Sequence, residues 1–359
     1  MASLHDLNAL GQSIWLDYIR RDTIENGELA RLVEQGLRGV TSNPSIFEKA
    51  IGGSDLYVNF LKEAGAEGGD AEAIYERIAI RDIQDAADVL RPVYEATQGH
   101  DGFVSLEVSP HLAHEYTRTV SEAKRLWEQV QRPNLMIKVP GTPAGTQAFG
   151  DLIRSGINVN VTLLFSVKAY RLVAETFIDA IAARVAAGAD VSKVASVASF
   201  FVSRIDAAVD AALETQGASG LAGKTAIANA KLAYEVFGEL FAAPRWKALA
   251  AKGAQAQRVL WASTGTKNPN YSDVLYVDEL IGPQTVNTVP PATLQAFMDH
   301  GRLSQSLMED LNGAKAALKA IAEAGVNLET VTDRLLEEGV QQFIDAYDKL
   351  LDAVRARIK

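Results

Sequence analysis

The chain has 359 residues, 48% of them hydrophobic, which is enough apolar material for one large domain or two medium ones. Its 45 acidic against 35 basic side chains give a net charge of -10, which argues against nucleic acid and anionic membrane as partners; an anionic substrate needs only a local basic cluster. The absence of cysteine excludes disulfides, thiolate chemistry and cysteine-ligated metals.

Short β-rich apolar runs alternate with amphipathic helical stretches. The first predicted strand, 13–17, closes on Asp17, and the second, 39–43, stops at Pro44. The Ala/Gly-rich stretch 63–70 is read as a mobile loop. Beyond it Ile74, Ile78, Ala87 and Leu90 recur at helical spacing and predict a core-facing stripe. The third strand covers 102–108. His111 and His114 follow Pro110 and read as surface residues at a helix start, not as a metal pair. The fourth strand, 134–140, carries Lys138, and the fifth covers 157–163. Ser166 then stands where it can cap a helix running toward Gly188. Strands six to eight are predicted at 194–201, 258–264 and 285–289. The last fifty-odd residues carry no strand signal. Val331, Leu335, Phe343, Tyr347, Leu350 and Val354 form an apolar face there, expected to pack outside the main body or over one end of it.

Eight strands separated by helices imply parallel pairing through right-handed crossovers, and eight such units suggest a closed (β/α)8 TIM-type barrel with extra helices at the C-terminus. A doubly wound open sheet is the structural alternative, but no Gly-x-Gly-x-x-Gly turn follows the first strand. No linker splits the chain, so a single domain over 1–359 is expected, with 302–359 as helices packed on the barrel. The N-terminus shows no basic region followed by an apolar run, and no apolar stretch approaches the about 20 residues that span a bilayer. A cytoplasmic protein is expected.

Parallel barrel strands are buried on both faces and should read as continuous apolar runs. Here nearly every strand carries polar groups toward its C-terminal end: Asp17; Thr41 and Asn43; Ser105 and Glu107; Lys138; Asn158, Asn160 and Thr162; Ser199, then Arg204; Ser263 and Thr264, then Lys267; Asn287 and Thr288. On the fifth strand Asn158, Asn160 and Thr162 alternate with valines, so period two puts all three on one face; directed inward, they would line one wall of the barrel mouth. Lys138 is the most informative of the set. Burial disfavours an ammonium, and a neutral amine can attack a carbonyl. Each residue also has an ordinary reading: Lys138 a snorkelling lysine, Asp17 a helix cap, Asn43 a turn residue, Glu107 a structural ion pair, Asn160 part of a polar core layer, Arg204 and Lys267 surface cations. Their accumulation at one end of successive strands, where barrel enzymes keep their sites, is better explained by chemistry at the mouth.

At this point the residues resemble a known family. Trp15-Leu-Asp17, Gly39-Val-Thr-Ser-Asn-Pro-Ser45, Ser105-Leu-Glu107, Ile137-Lys-Val-Pro140, Asn160-Val-Thr-Leu-Leu-Phe-Ser166 and Ser199-Phe-Phe-Val-Ser-Arg204 occur in the order found in the transaldolases. The likeness covers roughly the first 300 residues, and the C-terminal extension is similar to that of the longer bacterial branch. The resemblance implies a transferase of the non-oxidative pentose phosphate pathway that moves a dihydroxyacetone unit between sugar phosphates, from sedoheptulose 7-phosphate to glyceraldehyde 3-phosphate, through a lysine Schiff base and with no metal or cofactor. It implies Lys138 as nucleophile, Asp17 as acid–base for the C4 hydroxyl, and Glu107 acting through a water held by Thr162. Asn43 and Asn160 would bind hydroxyls of the three-carbon unit, Arg204 and Ser199 the phosphate. Shorter members supply a second phosphate arginine after the seventh strand. The corresponding stretch here is Trp261-Ala-Ser-Thr-Gly-Thr-Lys267, and the role passes to Lys267 with Ser263 nearby. The expected partners are sugar phosphates, and monomer and homodimer both stay open.

Two other functions fit the same residues. A fructose 6-phosphate aldolase would release dihydroxyacetone; related aldolases tend to carry a tyrosine where this chain has Phe201, and phenylalanine lacks the hydroxyl that can position water. A catalytically silent sugar-phosphate-binding barrel would need neither Lys138 nor the two carboxylates.

Overall fold

The computed structural model describes residues 2–358. Eight strands close into a barrel in chain order, every neighbouring pair parallel: β1 Gln12–Leu16, β2 Gly39–Thr41, β3 Phe103–Glu107, β4 Leu135–Pro140, β5 Val159–Leu164, β6 Ser196–Phe201, β7 Arg258–Ala262 and β8 Thr285–Val289. All eight predicted strands are present. The second is shorter than expected because Asn43 leaves the ladder to cap helix Pro44–Phe47, its side chain accepting from the Ile46 N–H at 3.0 Å.

The inner faces stack in layers, as period two requires. At the N-terminal end the Trp15 ring lies over Gly39, where a Cβ would stand 2.5 Å from it; only glycine permits that approach. Below, buried Asp101 accepts from Ser13 and from the Trp15 indole at 2.9 Å, and pairs with Arg258 at 3.3 Å. This polar plug seals the end away from the predicted site.

Helix Ala71–Ala96 buries Ile74, Ile78, Ala87 and Leu90 as its spacing predicts, and Ser166 caps helix Val167–Ala186 through the Ala169 N–H at 3.1 Å. The 63–70 stretch is not the loop expected. Helix Val58–Ala66 takes its first half, and the turn is confined to 67–70, with Gly68 and Gly69 at φ +80 and +106. Its alanines favour helix, and only the paired glycines break it.

Helices Leu311–Glu323 and Leu328–Arg357 follow the barrel. The second, 30 residues long, lies across the C-terminal mouth against helices Pro44–Phe47, Ala71–Ala96 and Ser203–Thr215 and against β5. It is held by Lys168 to Glu329 (2.7 Å), by the Tyr347 hydroxyl donating to Glu72 (2.7 Å) and by Arg357 donating to the carbonyls of Ile51 and Ser54 (both 2.6 Å). His111 and His114 are exposed beside the short turn Pro110–Leu112, but they also serve this helix, at 2.8 Å from Asp348 and 3.7 Å from Glu337. Among the described residues no helix is long and apolar enough to cross a membrane.

Candidate active site

Lys138 sits on the inner face of β4, buried, in register with Glu107 on β3 and Asn160 on β5. Its Nζ donates to the Ser42 carbonyl at 3.0 Å, lies 3.4 Å from Glu107 Oε2 and stands 5.9 Å from the centre of the Phe343 ring. Burial pushes the Glu107 carboxyl above its ordinary pKa, against the opposing pull of Lys138. Glu107 Oε2 and Thr162 Oγ1 are both buried with no hydrogen-bond partner in the protein. Buried polar atoms are paired as a rule; here Thr162 Oγ1 has no protein partner and Glu107 Oε2 has only its 3.4 Å approach to the amine.

Asp17 follows the last residue of β1. The Thr41 hydroxyl donates to it at 2.8 Å and stands 2.7 Å from that of Thr288, a chain that orients the carboxylate. Burial raises the pKa of Asp17; Lys138, the Thr41 hydrogen bond, Lys267 and Arg204 pull it back down. Arg204 is the second residue of helix Ser203–Thr215. Its guanidinium is 5.4 Å from the Phe201 ring centre and makes no ion pair among the described residues, while burial lowers its pKa. Lys267 is exposed at the rim. Ser263 adopts φ +57, an unusual conformation for a residue with a side chain, and joins the Ser203 hydroxyl at 2.9 Å, which ties the end of β7 to the start of the Arg204 helix. Leu163 is likewise at φ +61, where the β5–β6 register shifts; a bulge of this kind re-aims side chains beside a site.

A cavity of about 180 Å³ at the mouth is lined by Asp17, Asn43, Lys138, Thr162, Ser199, Phe201, Arg204, Ser263 and Lys267. Of the residues given a catalytic or binding role, Glu107 and Asn160 do not line it. Glu107 lies beside Lys138, facing a smaller space closed by Tyr75 and Tyr347. Asn160 is fully buried, accepting from the Ser199 hydroxyl at 2.6 Å and donating to that of Ser105 at 3.2 Å. Asn158 is not at the mouth: its amide donates to the carbonyls of Pro133 and Leu135 and accepts from the Ala195 N–H, lacing the strand starts together. Asn287 is also outside the cavity, taken up by the Thr264 hydroxyl at 2.9 Å. Phe343 lines the cavity and was read from the sequence only as part of an apolar helix face; an aromatic at helical spacing carries no local mark of that position. A larger groove, about 560 Å³, opens on the flank between helices Glu28–Glu34 and Pro291–His300, but it contains no lysine and lies outside the barrel. Among the described residues no three His, Asp or Glu side chains are grouped to hold a metal.

Fold and site together define a (β/α)8-barrel enzyme with a buried lysine and carboxylate at its C-terminal mouth. The family described as transaldolase/fructose-6-phosphate aldolase matches residues 14–354, and the chain belongs to that family. It is 49% identical over 360 residues to a protein named transaldolase from Parafrankia sp. (strain EAN1pec), covering 99% of this chain and 98% of that one. It is 49% identical over 355 residues to the transaldolase of Neisseria gonorrhoeae (98% and 99% covered), and 46% identical over 373 residues to transaldolase 2 of Nostoc punctiforme (99% and 97% covered).

Proposed function

We propose that this chain is a transaldolase that passes a dihydroxyacetone unit between sugar phosphates through a Schiff base on Lys138. The observation that carries the reading is a buried primary amine 3.4 Å from a carboxylate whose pKa is raised, in a mouth that also holds an uncommitted guanidinium.

Lys138 attacks the keto carbon of a ketose phosphate, and loss of water gives an iminium that accepts the electrons of the breaking C3–C4 bond. Asp17 takes the proton of the C4 hydroxyl and returns it to the incoming aldehyde; its raised pKa suits an acid–base that must work in both directions. Glu107 handles protons in imine formation and hydrolysis through the water anchored by Thr162. The Asn43 side-chain oxygen is committed to its helix cap, which leaves its N–H groups to donate to substrate hydroxyls. Asn160 holds Ser199 in place. Arg204 grips the phosphate with its fork, with Lys267 and Ser263 across the rim. Phe201, with no hydroxyl, favours transfer over release.

The test is borohydride trapping with fructose 6-phosphate followed by peptide mass mapping. A three-carbon adduct on Lys138, discharged by erythrose 4-phosphate before reduction, is expected, and Lys138→Ala should abolish it. Folded protein that binds substrate but traps no adduct on any lysine would overturn the proposal. An adduct that erythrose 4-phosphate leaves untouched would point to the aldolase.

A further inference from the structure

Gly339, Phe343 and Tyr347 stand four residues apart on helix Leu328–Arg357, so they share the face turned to the barrel mouth. Each lies over a different part of the site. At Gly339 the helix comes so close that a Cβ would stand 2.9 Å from Leu163 Cδ2 and 3.7 Å from Arg204 Nη1. Phe343 is buried and is the one residue of this helix lining the catalytic cavity, 5.9 Å from Lys138 Nζ at its ring centre. Tyr347 closes the small space around Glu107, held edge-on by Tyr75 at 5.8 Å between ring centres. Salt bridges and hydrogen bonds along the helix fix this roof on the turn at His111 and on the helices that carry Lys168 and Glu72.

We infer that Phe343 determines how the Lys138 intermediate partitions: its ring keeps solvent from the three-carbon enamine, so that an aldehyde phosphate takes it and water does not. The inference rests on the Schiff-base reading above. The nucleophilic carbon of the enamine has two fates. It can use its electron pair to form a C–C bond to the acceptor carbonyl carbon, whose oxygen then receives the proton held by Asp17. Alternatively it can take a proton from water, giving an iminium; the hydroxide left behind adds to the iminium carbon, and the C–N bond breaks to free dihydroxyacetone and the amine. The second course consumes one water and needs water at the carbon itself. A rigid apolar ring over the amine denies that approach. On the proposed mechanism the water that hydrolyses the product imine is delivered by Glu107 and Thr162 and not across the Phe343 ring, so the two demands on solvent do not conflict.

The experiment measures dihydroxyacetone released and sedoheptulose 7-phosphate formed from fructose 6-phosphate and erythrose 4-phosphate. Phe343→Ala should raise the ratio of release to transfer by about tenfold and shorten the life of the borohydride-trappable adduct. Phe343→Leu, which keeps an apolar wall, should stay near the parent ratio. A purely structural role would lower both reactions together. A folded Phe343→Ala enzyme that forms the adduct and partitions like the parent would overturn the inference and leave the Schiff base standing. Absence of the adduct in the parent enzyme would instead overturn the reading on which it rests.

Discussion

Thr162→Val removes one buried hydroxyl and nearly preserves side-chain volume. In the folded chain Thr162 is 1% exposed and its hydroxyl has no protein partner. An unpaired buried hydroxyl costs about 1–3 kcal/mol, and the lower end applies here because Thr162 lines a cavity open at the mouth. The variant should therefore be more stable by about 1 kcal/mol. At about 2.1 cal/mol/K per residue, 359 residues carry an unfolding entropy of about 750 cal/mol/K, so the gain is about 1–1.5 °C in Tm. Activity should move the other way. General acid–base catalysis contributes about 10²–10⁴-fold, and loss of one anchor of the water used by Glu107 should lower kcat by about 10²-fold. Scanning calorimetry and steady-state transfer assays measure both effects, and Thr162→Ser should restore the rate. A fall in Tm of several degrees would show that the hydroxyl is paired in the fold. An unchanged kcat would show that no catalytic water is held there.

Phe201→Tyr adds a hydroxyl at the last position of β6, inside the cavity, and should raise dihydroxyacetone release at the expense of transfer; unchanged partitioning in product assays would remove Phe201 from that role. Asp101→Ala strands Arg258 without its buried partner at the far end of the barrel, and should cost about 3–5 kcal/mol with kcat unaltered. Urea unfolding reads the loss, and a cost under about 1 kcal/mol would count against the plug. Asp206 is buried beneath the Tyr276 hydroxyl, which donates to it at 2.8 Å, and burial pushes its pKa up to about 6 from an ordinary 3.8. The folded state then holds a proton that the unfolded state has lost, so the contribution of this group to stability falls as pH rises from about 4 to about 6. Asp206→Asn should flatten that part of the stability profile, and parallel urea midpoints for parent and variant across the range would refute the shift.

Much of the architecture was legible because it is written locally. Period-two and helical spacings show which residues share a face, and a cap residue such as Ser166 marks where a helix starts. Asp17, Lys138 and Thr162 could be placed at strand ends for the same reason. Local pattern could not tell Asn158 from Asn160, which share a face of β5 but serve different ends of the barrel. Nor could it show which of Asn287 and Thr288, on opposite faces by period two, lines the cavity; it is Thr288.

The alternation of side chains is a property of one strand, and the sequence by itself determined it: eight strands, their buried faces, and an unusual load of polar groups toward one end. The distances that make those groups a site belong to pairs of strands and to closure of the barrel. Glu107 comes to 3.4 Å from Lys138 only through the parallel register of β3 and β4. His111 meets Asp348, and Phe343 covers Lys138, only because the last helix folds back across the mouth of a completed barrel. Such contacts join residues some 200 positions apart, where no spacing rule reaches, and tertiary packing alone decided them.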